Sequence, residues 1–314
     1  MRGAGGGTQR TLEKLEKSVQ AGNYYEAQQM YKTVYARYMA SQNYSAVLDL
    51  LQSGACIQLK HGQVTCGVEL GLLLIEALHG ARMSYEKDSL DQIKAIYKEF
   101  PRVQVHQVVE LSEIQKTSEE YVAAKTRVEG CSAFLKAAIK WSADSGGSKK
   151  GVSELHDMLA DYIWTQSPLL DLGKSSYHFV RGSRPDLFAS AILKFMSQCP
   201  SDQRDLVLAR AIFQYLSLGN LRDANKIMDE VKHGMSSQDF EDLPLVRCLK
   251  FLLLTLERDA LPLFRMLREN YKMSIERDPS LDELLDDIAE KFYGVRRKSG
   301  FQNMFGDIMK MFIN

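Results

Sequence analysis

Between Ser18 and His61 the chain reads as two helices joined by a short connection, and this stretch constrains the fold more than any other. Each helix is announced by an Asn-Tyr pair, Asn23-Tyr24 and Asn43-Tyr44. Asn23 is placed to cap the first helix, with Glu26 three residues on to reach back to the cap's own amide. Gly22 suits the left-handed residue that ends a preceding helix. Tyr24, Ala27, Tyr31, Val34 and Tyr38 recur at three- and four-residue spacing, an aromatic stripe of the kind that packs into a core. Val47, Leu48, Leu51, Ala55 and Ile57 do the same for the second helix. So short a connection sets the two helices antiparallel. This is one unit of a helical-repeat scaffold.

The rest of the chain repeats the theme. Thr8 or Thr11 caps a first helix that turns Leu12, Leu15 and Val19 inward and Arg10, Lys14 and Lys17 outward. A helix from about Val64 to Leu78 is apolar on more than one side, which predicts burial between neighbours. Another ends at Pro101, and Arg102–Glu110 reads as an irregular linker. A long helix runs from about Ser118 to Ser142, followed by the flexible loop SGGSKKG at 145–151, the best candidate for a mid-chain break. In the second half, Gly219-Asn220-Leu221-Arg222-Asp223-Ala224 restates Gly22-Asn23-Tyr24-Tyr25-Glu26-Ala27. Leu245–Leu256 leaves little polar face and asks for cover from more than one side. Ser280 with Glu283 predicts a capping box for a helix that Gly294 closes. No continuous strand pattern occurs.

The expected fold is therefore all-α, a right-handed α-solenoid of antiparallel, TPR-like helix pairs. Its expected parts are a flexible tail over 1–8, N-terminal repeats over 9–150, C-terminal repeats over 151–298 and an apolar tail over 299–314.

An apolar fraction of 45% is enough for a sizeable core in 314 residues. Lys plus Arg equals Asp plus Glu, 40 each, so no overall field draws the chain to nucleic acid or anionic lipid. Five cysteines, an odd number without close pairs, argue against a disulfide framework and for a reducing compartment. The N-terminus lacks an apolar secretory core, and the longest apolar runs fall far short of the roughly 20 residues a membrane span needs. The expectation is a cytosolic protein.

Candidate chemistry is thin. Cys56, His61 and Cys66 share a short window, but a structural zinc site needs four ligands and no fourth is near. The 145–151 loop has glycines and two lysines, yet Val152 follows Gly151 where a phosphate-binding loop needs Lys then Ser or Thr, and no strand precedes it. Asp282, Glu283, Asp286, Asp287 and Glu290 put carboxylates on one helix, read as a solvated face or a dock for a basic partner. His156 and His178 sit in helices near aromatics, as partly buried, satisfied histidines do. Met304, Phe305, Ile308, Met309 and Phe312 share helical spacing, as a core cap or as a partner-docking or membrane-skimming element, with Asp307 and a single lysine, Lys310, counting against the membrane. No cofactor, metal site or catalytic constellation is expected.

Several runs together carry a resemblance: AGNYYEAQQMYKTVYARYMASQNYSAVLDLLQSGA, AAIKWSA around Trp141, ELHDMLADY from Glu154, SYHFVRG from Ser176, RDPSLDELLDDIAEKFYGV from Arg277, and MFGDIMKMF near the C-terminus. With these the chain resembles the family of the fourth component of the guided-entry-of-tail-anchored-proteins pathway, its plant members in particular. The resemblance implies a non-enzymatic α-solenoid adaptor in targeting tail-anchored membrane proteins to the endoplasmic reticulum. It implies that the N-terminal helices bind a dimeric targeting ATPase, with Lys14, Lys17, Tyr24, Tyr25, Lys32 and Arg37 on the docking face. It implies that the C-terminal helices bind a ubiquitin-like-domain adaptor or a larger scaffold chaperone, through Phe240, Leu243, Phe251, Leu254 and Phe264. Fungal members carry a hairpin in the connection matching 235–243, which is shorter here. The competing reading from the residues alone is a generic TPR-like co-chaperone that clamps peptide C-termini, and a third is a metal-dependent hydrolase.

Overall fold

A computed structural model describes residues 13–104 and 118–295, and in it one turn recurs between successive helices. Helices α1 (13–20), α2 (Tyr24–Ala40), α3 (Tyr44–Lys60) and α4 (Val64–Gly80) are joined by three-residue links. Each of α2, α3 and α4 has 17 residues, so the left-handed residues fall at Gly22 (φ 83°), Gln42 (56°), Gly62 (74°) and Arg82 (51°). At each, the left-handed residue's amide donates to a carbonyl three residues back, and the next amide donates five back: Gly22 to Val19 (2.9 Å) and Asn23 to Ser18 (3.0 Å), Gly62 to Leu59 (2.9 Å) and Gln63 to Gln58 (2.9 Å). The same pair of bonds closes the helices before Gly219 and Asp259. This Schellman arrangement satisfies carbonyls that a helix end would otherwise strand, and it reverses the chain.

The turn also explains which caps form. Asn43 accepts from the Ala46 amide at 3.4 Å, whereas Asn23 occupies the cap position with no side-chain cap bond. The capping box expected from Glu26 is absent because the amide it would reach, that of Asn23, already donates to Ser18. At the later restart the acid plays another part: Asn220 accepts from the Asp223 amide (3.1 Å), and its Nδ2 donates to the Asp223 carboxylate (2.7 Å).

The described residues form two compact units divided between Ser183 and Arg184. The first continues with α5 (Lys87–Lys98), α6 (Glu119–Asp144), α7 (Ser153–Gln166) and α8 (Leu172–Phe179). Its core runs through Tyr31, Leu51, Leu74, Ile96, Phe134 and Leu159. Phe100 knits three helices together, stacked on Phe134 (6.0 Å) and edge-on to Tyr162 (5.9 Å), whose hydroxyl donates to the Pro101 carbonyl at 2.8 Å. Residues 101–104 have no regular structure, and the remainder of the expected 102–110 linker lies outside the described residues. The 145–151 loop is a turn between α6 and α7, anchored by Gly147 donating to Ser142 (2.9 Å) and by Tyr85 donating to Ser145 (2.8 Å).

The second unit comprises α9 (Pro185–Gln198), α10 (Arg204–Ser217), α11 (Leu221–Gly234), α12 (Ser237–Glu241), α13 (Val246–Glu257), α14 (Leu261–Asn270), α15 (Lys272–Ile275) and α16 (Pro279–Tyr293). The apolar helix α13 packs against α10, α11, α12 and α14, which supplies the cover its sequence asks for. The start of α16 corrects the expected capping box. Pro279 takes the first helical position, where its missing N–H costs nothing, so the cap moves back to Asp278. Asp278 accepts from both the amide (3.0 Å) and the hydroxyl (2.7 Å) of Ser280. Its neighbour Arg277 pairs with the fully buried Asp205 and donates to the Asp202 carbonyl at 3.1 Å.

A Cβ in the left-handed region costs about 1–2 kcal/mol. Gly62→Ala is therefore expected to lower the unfolding free energy by about 1 kcal/mol, and Arg82→Gly to raise it by about 0.5–1 kcal/mol, in urea titrations. Burial, with help from the neighbouring charges, pushes His178 down from 6.5 to about 3. An unfolded chain takes up a proton near 6.5 that the folded chain refuses until about 3, so this stability is complete above 6.5 and lost as pH falls toward 3. Between pH 7 and 5 the melting temperature of His178→Gln should fall less than that of the wild type, by roughly 2–4 °C.

Candidate docking surfaces

On α1, Leu15 and Val19 are fully buried while Lys14 and Lys17 are exposed, the division expected of an amphipathic helix. On α2 the tyrosine stripe turns inward: Tyr31 is fully buried, and Val34 and Tyr38 pack partly buried against the core. Tyr24 is half-buried with its ring 5.8 Å from His61, whereas Tyr25 is 69% exposed. Lys32 pairs with Glu69 on α4, which also accepts from Gln28 at 2.7 Å. Seven residues separate Tyr25 from Lys32, which puts them within about 20° on the helix, while Arg37 lies about 140° from Lys32. Arg37 is exposed, 5.4 Å from the Tyr38 ring centre. The structure thus brings Tyr25 and Lys32 onto one line and sets Arg37 apart.

In the second unit Phe240, Leu243 and Phe264 are buried, and Phe251 (53%) and Leu254 (43%) face outward, three residues apart on α13. The connection 235–243 holds the short helix α12, capped by Ser236, which accepts from the Asp239 amide at 3.1 Å. Lys250 pairs with Glu241 and lies 5.4 Å from the Phe240 ring centre. There is no strand among the described residues, so the connection is helical and not a hairpin. Sequence reasoning passed over Met266 and Met273, which, like Leu263, are also exposed. The signal was present. On α14, Phe264 and Leu267 form one buried pair three residues apart, and Leu263 and Met266 form a second pair about 100° round the helix.

The remaining candidates do not assemble into reactive sites. Among the described residues no group of three or more His, Cys, Asp or Glu side chains is placed to hold a metal ion. Cys56 is a free thiol that burial pushes up to about 11, far from a reactive thiolate. The acidic face of α16 is met by Arg268, which bridges Asp282 (2.6 Å) and Asp286 (2.5 Å). No helix among the described residues is long and apolar enough to cross a membrane. The 1–8 tail and the Phe/Met segment 301–312 lie outside the described residues.

Core and surface positions are separable by melting. Phe240→Ala and Phe264→Ala should each cost about 3–5 kcal/mol of stability, the usual loss for a buried Phe. Phe251→Ser should stay within about 0.5 kcal/mol of the wild type.

The family model described as GET4, Golgi to ER traffic protein 4, matches residues 41–313. The chain is 48% identical over 309 residues to Protein GET4 of Arabidopsis thaliana, covering 96% of this chain and 95% of that one. It is 33% identical to the Golgi to ER traffic protein 4 homolog of Dictyostelium discoideum (93% and 85% covered), and 30% identical to that of Homo sapiens (97% and 86%). These are names of traffic proteins and not of enzymes. A crystal structure of C. therm. Get4 superposes with a TM-score of 0.76 over 96% of this chain and 95% of its own, at 23% identity. That likeness shows the fold, a helical solenoid without strands among the described residues.

Proposed function

The chain belongs to the Golgi to ER traffic protein 4 family, and from that membership we propose that it is a non-enzymatic adaptor in the post-translational targeting of tail-anchored membrane proteins to the endoplasmic reticulum. Its N-terminal half takes the targeting ATPase. Its C-terminal half takes a ubiquitin-like-domain adaptor or a scaffold chaperone. The observation that carries this reading is the difference in chemistry between the two exposed surfaces. Lys14 and Lys17 offer solvated cations on α1 and Tyr25 an exposed aromatic ring on α2, and Phe251 and Leu254 offer bare apolar side chains on a firmly packed helix.

Each surface suits a different lifetime of contact. Solvated charges speed encounter and are screened by salt, which fits an ATPase that docks and leaves. Desolvated apolar anchors slow dissociation, which fits a constitutive partner. Lys32 enters the ATPase face already paired with Glu69, so reversing it disturbs α2–α4 packing as well as docking. Lys14 and Lys17 are the cleaner probes. On the other side, buried Phe240, Leu243 and Phe264 support the surface from which Phe251 and Leu254 project.

Lys14→Glu with Lys17→Glu is expected to weaken ATPase binding about tenfold or more in low salt, with the difference shrinking toward 0.5 M salt. Phe251→Ser with Leu254→Ser is expected to lose copurification of the ubiquitin-like adaptor at an unchanged melting temperature. ATPase affinity that ignores the charge reversals in low salt would remove the N-terminal assignment, and retained copurification would remove the C-terminal one.

A further inference from the structure

A groove of about 1080 Å³ lies in the first unit between α6, α7, α8 and the 145–151 loop. Cations converge on it from separate elements: Lys136 and Lys140 from α6, Lys149 and Lys150 from the loop, Lys174 from α8 and Arg181 just after it. Glu129 is the single carboxylate in its lining, 3.9 Å from Lys125. Lys174 is taken by Asp171 at 2.8 Å. Among the described residues no carboxylate lies within ion-pair distance of Lys136, Lys140, Lys149 or Lys150. Four like charges crowded together repel one another. Such an arrangement is favourable when an anion comes between them.

The walls are built, and one of them rests on a buried pair. His156 Nε2 lies 2.9 Å from the Lys150 carbonyl, which can only accept, so Nε2 carries the proton. His156 Nδ1 is then an acceptor and takes the Nδ1 proton of His178, at 2.9 Å. Both rings are almost wholly buried, and burial keeps them neutral at pH 7. The pair thereby ties the loop backbone at Lys150 to α7. Next to this pair the Arg181 guanidinium lies 3.6 Å over the Tyr177 ring, itself 5.0 Å from the His178 ring, and donates to the Tyr177 carbonyl at 2.8 Å, which fixes it as a flat, charged surface.

The lining also selects the class of anion. Val128, Ile139, Ile163 and the Tyr177 ring lie among the cations. A lone phosphate group has no use for such surface, and its size is far below that of the groove. Nucleic acid wants a row of aromatic faces for its bases, and one tyrosine does not make a row. An acidic peptide carries both the charge and the apolar side chains. The α6 wall runs from Val128 to Ala143, about 22 Å at 1.5 Å per residue, the length of about six or seven extended residues. We propose that this groove docks a short acidic segment of a partner protein, in which glutamate or aspartate alternates with apolar residues.

The test is fluorescence anisotropy on the full chain, with a fluorescein-labelled octapeptide of glutamates interspersed with leucine and phenylalanine. The peptide should bind, and about tenfold more weakly at 0.3 M than at 0.05 M salt. Lys136→Glu with Lys140→Glu, both on exposed positions of α6, should cost about thirtyfold or more in affinity while leaving the melting temperature unchanged. Lys226→Glu with Lys232→Glu, an equal change of charge on the second unit, should change affinity less than about twofold. An equal loss from the second pair of substitutions would reduce the effect to net charge and overturn the proposal. So would equal binding of a glutamine-for-glutamate peptide, or tighter binding of an RNA octamer than of the acidic peptide. Neither the ATPase nor the ubiquitin-like adaptor enters the assay, so its outcome is independent of the adaptor reading.

Discussion

The left-handed turn, with its two backbone hydrogen bonds, is the constraint on which the rest of the first unit depends. A helix cannot end inside a packed stack with bare carbonyls, and it cannot pack against its successor unless the chain reverses at once. The turn does both in three residues. Where it recurs at 22, 42, 62 and 82, the helices between have equal length and each lies against the next. Packing, and not local preference, decides the outcome at Gln42 and Arg82. Each carries a side chain in a conformation costing about 1–2 kcal/mol. Burying even one leucine of Leu50, Leu51 or Leu70 returns about 2 kcal/mol, and all three are buried here. Close approach is secured by small residues: a Cβ on Gly54 would lie 2.7 Å from the Tyr31 ring.

A scaffold made this way presents long faces whose chemistry is free to vary, because only the inward stripe of each helix is committed to the core. That freedom explains how one chain offers solvated lysines on α1 and bare apolar side chains on α13. The committed stripe explains the aromatic residues that do not reach the surface. Tyr31, Phe134, Tyr162, Phe188 and Phe240 are fully buried, so aromatic richness here is mostly a property of the core.

Equal numbers of acids and bases, 40 of each, describe the far field of this chain and nothing nearer. Beyond a Debye length of about 8 Å an exposed charge is screened, so a partner at the surface responds to what is within reach. In the groove beside α6 that is a set of ammonium groups from three segments. On α16 it is carboxylates already bridged by Arg268. The lysines in SGGSKKG stand on a turn between two helices, and their setting follows from the backbone bonds and the buried His156 that hold the loop.

Much of the architecture was readable from residues alone, because the interactions that make and stop helices span three to six positions. The apolar periods, Pro101, Pro185, Gly294 and the restart at Gly219 act locally, and helices start or stop beside those residues. Family membership was readable too, from runs distributed along the chain. The sequence by itself therefore determined an all-α repeat scaffold and the family to which it belongs. Tertiary structure alone decided that Phe240 and Phe264 would be buried while Phe251 faces outward, since each is an equally apolar ring. It decided that Lys32 answers to Glu69 and Arg277 to Asp205, 37 and 72 residues away. It also decided that lysines scattered between 136 and 150 should meet across one groove. These outcomes depend on distances through space between residues far apart in the chain, which no local pattern encodes.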